Sequence, residues 1–199
     1  MVNLAEREVG FHPDAIGFPS IDGCHAVVMV TASGLYGFHN FGGSAAASFE
    51  ERSKSFATFV SQHFIARGVV KHLYGTCFRN KRGYSGADKL AAWKDEMKAF
   101  AKELGYKGPV SGFDLEKMGY GAKSAYVEYR RNGNTCTVHC KPWSDMSYDT
   151  EVLTNRVNHK RTQTGGVKPI TAKVYQNIRP KDGSALQNVA QNQLDAFNA

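Results

Sequence analysis

Cys24 and His39 are the two residues whose types and spacing are most suggestive of covalent chemistry. A cysteine thiol has an ordinary pKa of about 8.5, so at neutral pH it is mostly protonated and needs a nearby imidazole to become a nucleophilic thiolate. Such a Cys-His pair suits acyl transfer from an amide or a thioester. Backbone amides of the turn at residues 22–24, where Gly23 permits close approach, are candidates for an oxyanion hole.

The segment between Cys24 and His39 predicts that both residues lie on one face of a β-hairpin. The run His25–Thr31 is short, β-branched and apolar, and residues 35–39 are its expected antiparallel partner. Opposing residues in a hairpin have a constant sum of positions, and a sum of 63, 65 or 67 puts the two residues on the same face. A loop at residues 31–34 places His39 opposite Ala26 and diagonal to Cys24, with side-chain origins about 7 Å apart.

Spacing alone leaves two other interpretations of Cys24 open. A cysteine at the start of an apolar strand is commonly a small buried hydrophobic residue. A metal site made of Cys24, His25 and His39 is less favoured, because no fourth ligand of suitable spacing is present. We therefore expect neither a metal nor another cofactor.

The other cysteines favour packing over metal binding. In a strand, Cys136 and Cys140 share one face while His139 points to the other, and Cys77 lies in an apolar strand. The four cysteines lack repeated C-x-x-C spacing, and a chain of this size does not need a dense disulfide framework. A reducing working environment is the simpler expectation.

The elements around the pair predict one mixed α and β domain over residues 1–199. Ser48 and Glu51 form a capping box for a helix that ends before Gly68, and Ser85 and Asp88 open a second amphipathic helix that Gly105 stops. Residues 1–19 are expected to be irregular or to form a short strand.

The second half of the chain predicts a hairpin and then a more polar segment. Residues 124–143 alternate on both sides of a turn placed at Asn132 and Gly133. Residues 158–199 form a polar C-terminal segment of the same domain, with a strand at 170–175 and a short helix at 184–197.

Composition limits the class of protein without identifying a partner. The 199 residues carry a net charge of +7, which steers a protein toward acidic surfaces. The N-terminus has no apolar signal-peptide core, and no apolar run approaches the length of a membrane span. We expect a soluble protein whose export, if any, uses a route without a conventional signal peptide.

A basic module for nucleic acid is the main alternative function from another class. It would combine dispersed basic residues with neighbouring aromatic rings that can stack on bases. The residues concerned are Arg79, Lys81, Arg82, Arg130, Arg131, Lys160 and Arg161, with Tyr84 and Tyr129. Such a protein would bind less tightly as salt rises and would be indifferent to loss of Cys24.

The stretch from Ile21 to His39 resembles the catalytic domain of the cytotoxic necrotising factor toxins, a family of bacterial protein glutamine deamidases. Those toxins carry an L-S-G-C turn, a β-branched strand, a glycine turn, an aromatic strand and a histidine fifteen residues after the cysteine. Here the corresponding pieces are "IDGC", "HAVVMV", "ASG", "LYGF" and His39, which also lies fifteen residues after Cys24.

The resemblance implies an α+β fold with a β-sandwich or mixed sheet flanked by helices. It also implies that Cys24 is the nucleophile and His39 the base, with Ser20 or the carbonyl of Phe18 as candidates for the group that orients the histidine. The implied substrate is a glutamine side chain of a partner protein, for example a small GTPase or another host protein. The implied role is that of a secreted effector or toxin acting in a target-cell cytosol. A transglutaminase or a thiol protease would use the same pair.

Overall fold

The computed structural model describes residues 1–42, 49–63, 70–121, 123–143, 168–169 and 185–197. Within this part the chain forms twelve strands and two α-helices. The strands are β1 (Val2–Asn3), β2 (Glu8–His12), β3 (Ala15–Ile21), β4 (His25–Thr31), β5 (Leu35–Asn40), β6 (Val70–Cys77), β7 (Val110–Asp114), β8 (Ser124–Asn132), β9 (Thr135–Trp143), β10 (Lys168–Pro169), β11 (Gln187–Val189) and β12 (Asp195–Phe197). The helices are α1 (Phe49–His63) and α2 (Lys89–Glu103).

These strands form two mixed sheets. The first sheet has the order β1-β3-β8-β9-β11, and the second has the order β10-β2-β5-β4-β6-β7-β12. In the first sheet only β1 and β3 run parallel, whereas the second sheet contains the parallel pairs β10 with β2 and β6 with β7. The described part of the chain is therefore an α+β protein dominated by sheet, and the predicted mixed α and β class is confirmed.

The central strand β4 explains how the layers are stacked. All seven of its residues are buried, and its side chains alternate between two hydrophobic clusters. Ala26 and Val28 join the cluster between the two sheets, with Phe18 of β3. Val27 and Met29 face the other way and pack with residues of α1 and α2. The continuous apolar run in the sequence thus reflects a strand covered on both faces.

Helix α2 begins and ends near the positions that the sequence predicts. The Asp88 side chain accepts a hydrogen bond from Ala91 N at 2.9 Å and caps α2, and Gly105 follows the helix with a φ of +62°. Helix α1 is described from Phe49 to His63. Its predicted cap at Ser48 and its predicted end at Gly68 lie outside the described residues.

Two expectations about local structure differ from what is observed, and a third is not tested. The N-terminal segment, for which the sequence predicts an irregular stretch or one short strand, forms three strands, β1 to β3. The hairpin of β8 and β9 turns at Gly133 and Asn134, one residue later than predicted, because Asn132 pairs with Thr135. The strand predicted at 170–175 lies outside the described residues.

The helix predicted at 184–197 is wrong over the residues that are described. Residues 187–197 instead form β11, a short 3-10 turn and β12. Val189 packs between the sheets, whereas Phe197 packs edge-on against Trp93 under the helices, with ring centroids 4.9 Å apart. Val189 and Phe197 thus belong to two different sheets and pack in two different layers, so tertiary packing overrides the local pattern here.

Candidate active site

Cys24 lies at the turn that joins β3 to β4, immediately before the first residue of β4. Its side chain is partly exposed and packs against the cluster between the sheets. The strands β4 and β5 pair with Ala26 opposite His39 and with Val30 opposite Leu35. This register confirms the predicted loop at residues 31–34, so His39 is diagonal to Cys24 on the same face of the sheet.

His39 is held between the sheets by a ring contact and a main-chain carbonyl. The imidazole is 1% exposed and lies edge-on to the Phe18 ring, with centroids 6.1 Å apart. Its Nδ1 atom lies 2.7 Å from the carbonyl oxygen of Leu4. Because a carbonyl can only accept a hydrogen bond, Nδ1 carries the proton and Nε2 is the basic nitrogen.

The group that contacts Nδ1 of His39 is the Leu4 carbonyl. Ser20 and the Phe18 carbonyl, the candidates from the sequence for orienting the histidine, lie elsewhere in β3. Phe18 contributes its ring to the histidine, and its backbone pairs with Val127 of β8. Ser20 lies in an irregularity of β3 between Phe18 and Ile21, with a left-handed φ of 59°. A carbonyl has no signature in the sequence, so Leu4 could not have been identified before the strands were placed.

The sulfur of Cys24 receives a hydrogen bond from the backbone N–H of Gly42. The backbones of Gly42 and Gly23 lie so close together that a Cβ atom on Gly42 would lie 2.2 Å from the Gly23 carbonyl oxygen. Burial, with a smaller effect of the Glu6 carboxylate, raises the pKa of the Cys24 thiol to about 12, although the Gly42 hydrogen bond and the Arg82 charge act in the opposite direction. At neutral pH Cys24 is therefore a protonated thiol in this state.

A buried polar cluster lies on the opposite face of the same hairpin. Glu96 of α2 is fully buried and accepts hydrogen bonds from Arg82 (Nη2, 2.6 Å), Tyr84 (2.5 Å) and Asn40 (2.7 Å). Burial alone would raise the pKa of Glu96, but the Arg82 guanidinium and His25 hold it well below its ordinary value.

His25 belongs to this cluster and not to the Cys24 site. Its Nε2 accepts a hydrogen bond from Trp93 Nε1 at 3.2 Å, and its Nδ1 lies 3.3 Å from Glu96 Oε2. Burial lowers the pKa of His25, in agreement with a neutral ring that presents its Nδ1 proton to the carboxylate. The structure thus separates His25 from Cys24 and His39, which excludes a shared metal site for the three.

Sequence patterns contained one signal for this cluster that was missed. Glu96 falls within the apolar stripe of α2, between Trp93 and Met97. A carboxylate on the buried face of a helix requires a partner, and the basic loop that precedes α2 provides Arg82. The nucleic-acid alternative instead counts Arg82 as a surface residue.

The other predicted features take up structural positions. Cys136 and Cys140 are fully buried between the sheets, while His139 is partly exposed and contacts Thr137 at 3.0 Å, as strand alternation predicts. Cys77 is also fully buried. Among the described residues, no group of three His, Cys, Asp or Glu side chains is arranged to hold a metal ion.

The described members of the nucleic-acid alternative are in part buried or paired with acidic residues. Arg82, Tyr84 and Tyr129 are buried, so neither ring is available to stack on a base. Arg79 pairs with Asp114, and Lys81 pairs with Asp22. The remaining members of that set include two residues, 160 and 161, that lie outside the described part of the chain.

Comparison with known proteins adds no family assignment. No protein-family model and no curated protein sequence matches the chain. Over the residues described by the structure, neither helix has the length and apolar character needed to cross a membrane.

Proposed function

We propose that this protein is a cysteine-dependent protein glutamine deamidase, with Cys24 as nucleophile and His39 as general base. The observation that carries the proposal is the arrangement of His39. The hairpin register puts the imidazole on the face of Cys24, and the Leu4 carbonyl, 2.7 Å from Nδ1, leaves Nε2 as the basic nitrogen. A nucleophile, a base and a group that orients the base are the three parts such a site requires.

The proposed reaction begins from a neutral thiol. As the Cys24 sulfur attacks the carbonyl carbon of a glutamine side chain, the thiol proton moves to Nε2 of His39. The imidazolium then returns that proton to the amide nitrogen, which leaves as ammonia, and a thioester joins Cys24 to the substrate. His39 next takes a proton from water as the water oxygen attacks the thioester carbon. The C–S bond then breaks, the imidazolium returns its proton to the sulfur of Cys24, and the side chain leaves as glutamate.

Backbone amides near the thiol support this chemistry. The Gly42 N–H already contacts the Cys24 sulfur, so it can stabilise negative charge that develops on sulfur during the reaction. The raised thiol pKa is compatible with proton transfer that accompanies attack, instead of a thiolate that exists before the substrate arrives. We also propose that the two mixed sheets with helices on one side are a fold of the deamidase-toxin type.

The test compares glutamine conversion in a cytosolic protein extract treated with the wild-type protein or with variants. Mass spectrometry of the tryptic peptides counts the glutamines that have become glutamate. We expect conversion with the wild type, loss of conversion with Cys24→Ser and His39→Gln, and retention with the control His139→Gln, whose ring is partly exposed on the first sheet. Circular dichroism checks that each variant is folded.

Several outcomes would contradict the proposal. Glutamine conversion that persists with Cys24→Ser would refute the assignment of Cys24 as nucleophile. If the wild-type protein converts no more glutamines than the untreated extract, the deamidase assignment is wrong. New peptide termini would indicate a thiol protease. Incorporation of an added dansylated amine in place of water would indicate a transglutaminase acting through the same thioester.

A further inference from the structure

Arg82 connects the buried cluster under the helices to the backbone on both sides of the Cys24 thiol. Its Nη1 atom donates to the Phe41 carbonyl at 2.7 Å and to the Gly23 carbonyl at 3.1 Å. The rest of the guanidinium faces Glu96, with Nη2 at 2.6 Å from Oε1 and Nε at 3.3 Å from Oε2. One planar side chain thus bonds two carbonyl groups and one carboxylate.

Glu96 holds that guanidinium in a single orientation. Both side chains are almost completely buried, 0% and 1% exposed, and a two-point contact between a guanidinium and a carboxylate fixes the plane of both groups. Burial opposes the charge of Arg82, but the Glu96 carboxylate outweighs that effect and raises the Arg82 pKa above its ordinary value. Arg82 is therefore a permanent and oriented donor.

The two carbonyls that Arg82 contacts belong to the peptide groups that surround the thiol. The Gly23 carbonyl shares its peptide group with the N–H of Cys24, and the Phe41 carbonyl shares its peptide group with the N–H of Gly42. Both peptides are trans, so each N–H points away from its carbonyl and hence away from Arg82. A hydrogen bond from the Gly42 backbone lowers the pKa of the Cys24 thiol, in agreement with an N–H that is directed away from Arg82 and toward the sulfur.

We propose that Arg82, oriented by Glu96, is a positioning residue that aims the N–H groups of Cys24 and Gly42 at the reacting sulfur and at the oxyanion formed on a bound carbonyl. Arg82 touches neither substrate nor sulfur, and it acts through two peptide groups that it also polarises. The oxyanion part of this inference rests on the proposed deamidase function, whereas the effect on the thiol does not.

The test measures how fast iodoacetamide alkylates Cys24 between pH 7 and pH 10. Among the four cysteines of the chain only Cys24 is partly exposed, so mass spectrometry of the labelled peptide reports on this residue. Only the thiolate reacts, and the rate at a given pH therefore follows the thiol pKa. The variant is Arg82→Lys, which keeps the charge but cannot serve Glu96 and both carbonyls in one plane.

The expected result for Arg82→Lys is alkylation about tenfold slower at each pH, equivalent to about 1.4 kcal/mol or one unit of thiol pKa. The residual donor to the Phe41 carbonyl is Arg52 Nη1 at 3.3 Å, so we expect loss of orientation and not loss of the turn. The matched control is Arg79→Lys, a neighbouring arginine whose ion pair with Asp114 does not reach the thiol. It should alkylate at the wild-type rate.

A second variant keeps the test informative if Arg82→Lys does not fold. Arg82→Met combined with Glu96→Gln removes both charges together, which buried ion pairs often tolerate, and should slow alkylation by a similar factor. Wild-type alkylation rates in either folded variant would overturn the inference. The two proposals can fail separately. If the Arg82 variants are alkylated more slowly but the wild-type protein converts no glutamine, the positioning of the thiol is upheld and the deamidase function is rejected.

Discussion

Replacing Glu96 by glutamine should remove a large part of the stability of this protein. The Glu96 and Arg82 side chains are 0% and 1% exposed, and the variant would leave the guanidinium charge in the interior without its counter-ion. Removing one partner of a buried ion pair costs about 3–5 kcal/mol for this reason. Domains generally unfold with a free energy of about 5–15 kcal/mol, so the loss should be a substantial fraction of the total.

The assay is equilibrium unfolding in urea at pH 7, monitored by tryptophan fluorescence. Glu103→Gln on the same helix is the matched control, because it makes the same chemical change where the side chain is partly exposed. The free energy of unfolding of this control should lie within about 0.5 kcal/mol of the wild-type value. Adding Arg82→Met to Glu96→Gln should recover part of the loss, because the uncompensated charge is then gone.

Two results together would refute this reasoning: a free energy of unfolding for Glu96→Gln within about 1 kcal/mol of the wild-type value, and a double variant that is no more stable than Glu96→Gln alone. Such a result would mean that water or a backbone rearrangement compensates the Arg82 charge. Glu96 would then not be the group that orients Arg82, and the positioning of the Cys24 turn would need another explanation.

Two further predictions concern the Cys24 turn and the effect of acid. A methyl group at position 42 in Gly42→Ala must move away from the Gly23 carbonyl oxygen by at least about 0.8 Å, which separates the two strands of the turn. Alkylation of Cys24 should therefore slow about tenfold in Gly42→Ala and less in Gly23→Ala. Equal alkylation rates in the wild type and in Gly42→Ala would refute this. The unfolding free energy should fall as pH drops below about 6.5, by up to about 1.4 kcal/mol per pH unit for His25, because burial lowers its folded pKa and only the unfolded chain takes up the proton. Below the ordinary Glu value the Glu96 contribution is lost as well, as pH falls through its lowered folded pKa. Urea midpoints measured from pH 7.5 to pH 4 test this, and a flat profile would contradict it.

The hairpin that carries the candidate site was predictable because its register depends on parity. An apolar strand, a loop of known length and a second strand determine which residues face each other, and the observed pairing of Ala26 with His39 follows from that pattern. Helix α2 was predictable for a similar reason, since Asp88 and Gly105 are side-chain and backbone signals that act locally.

The supporting groups were not predictable because they depend on long-range placement. The Leu4 carbonyl reaches His39 only after β1 and β3 pair in parallel, and nothing in the local sequence marks that contact. The ion pair of Arg82 with Glu96 joins a loop to the buried face of a helix, so each residue in isolation resembles a solvated charge. The C-terminal strands were missed for the same reason, as their edges exist only in the folded sheets.

The candidate site and its support occupy opposite faces of the same two strand ends. Cys24 and His39 face the space between the sheets, while the residues that follow them, His25 and Asn40, pair with each other and contact Glu96 on the helix side. A slip of one residue in this hairpin would exchange the faces and bury the polar pair against apolar side chains. Contacts with Glu96 therefore stabilise the observed register, in which the thiol and the imidazole share one face of the sheet. The buried cluster has no access to a substrate, and its structural consequence is to fix the geometry of the candidate site on the other face.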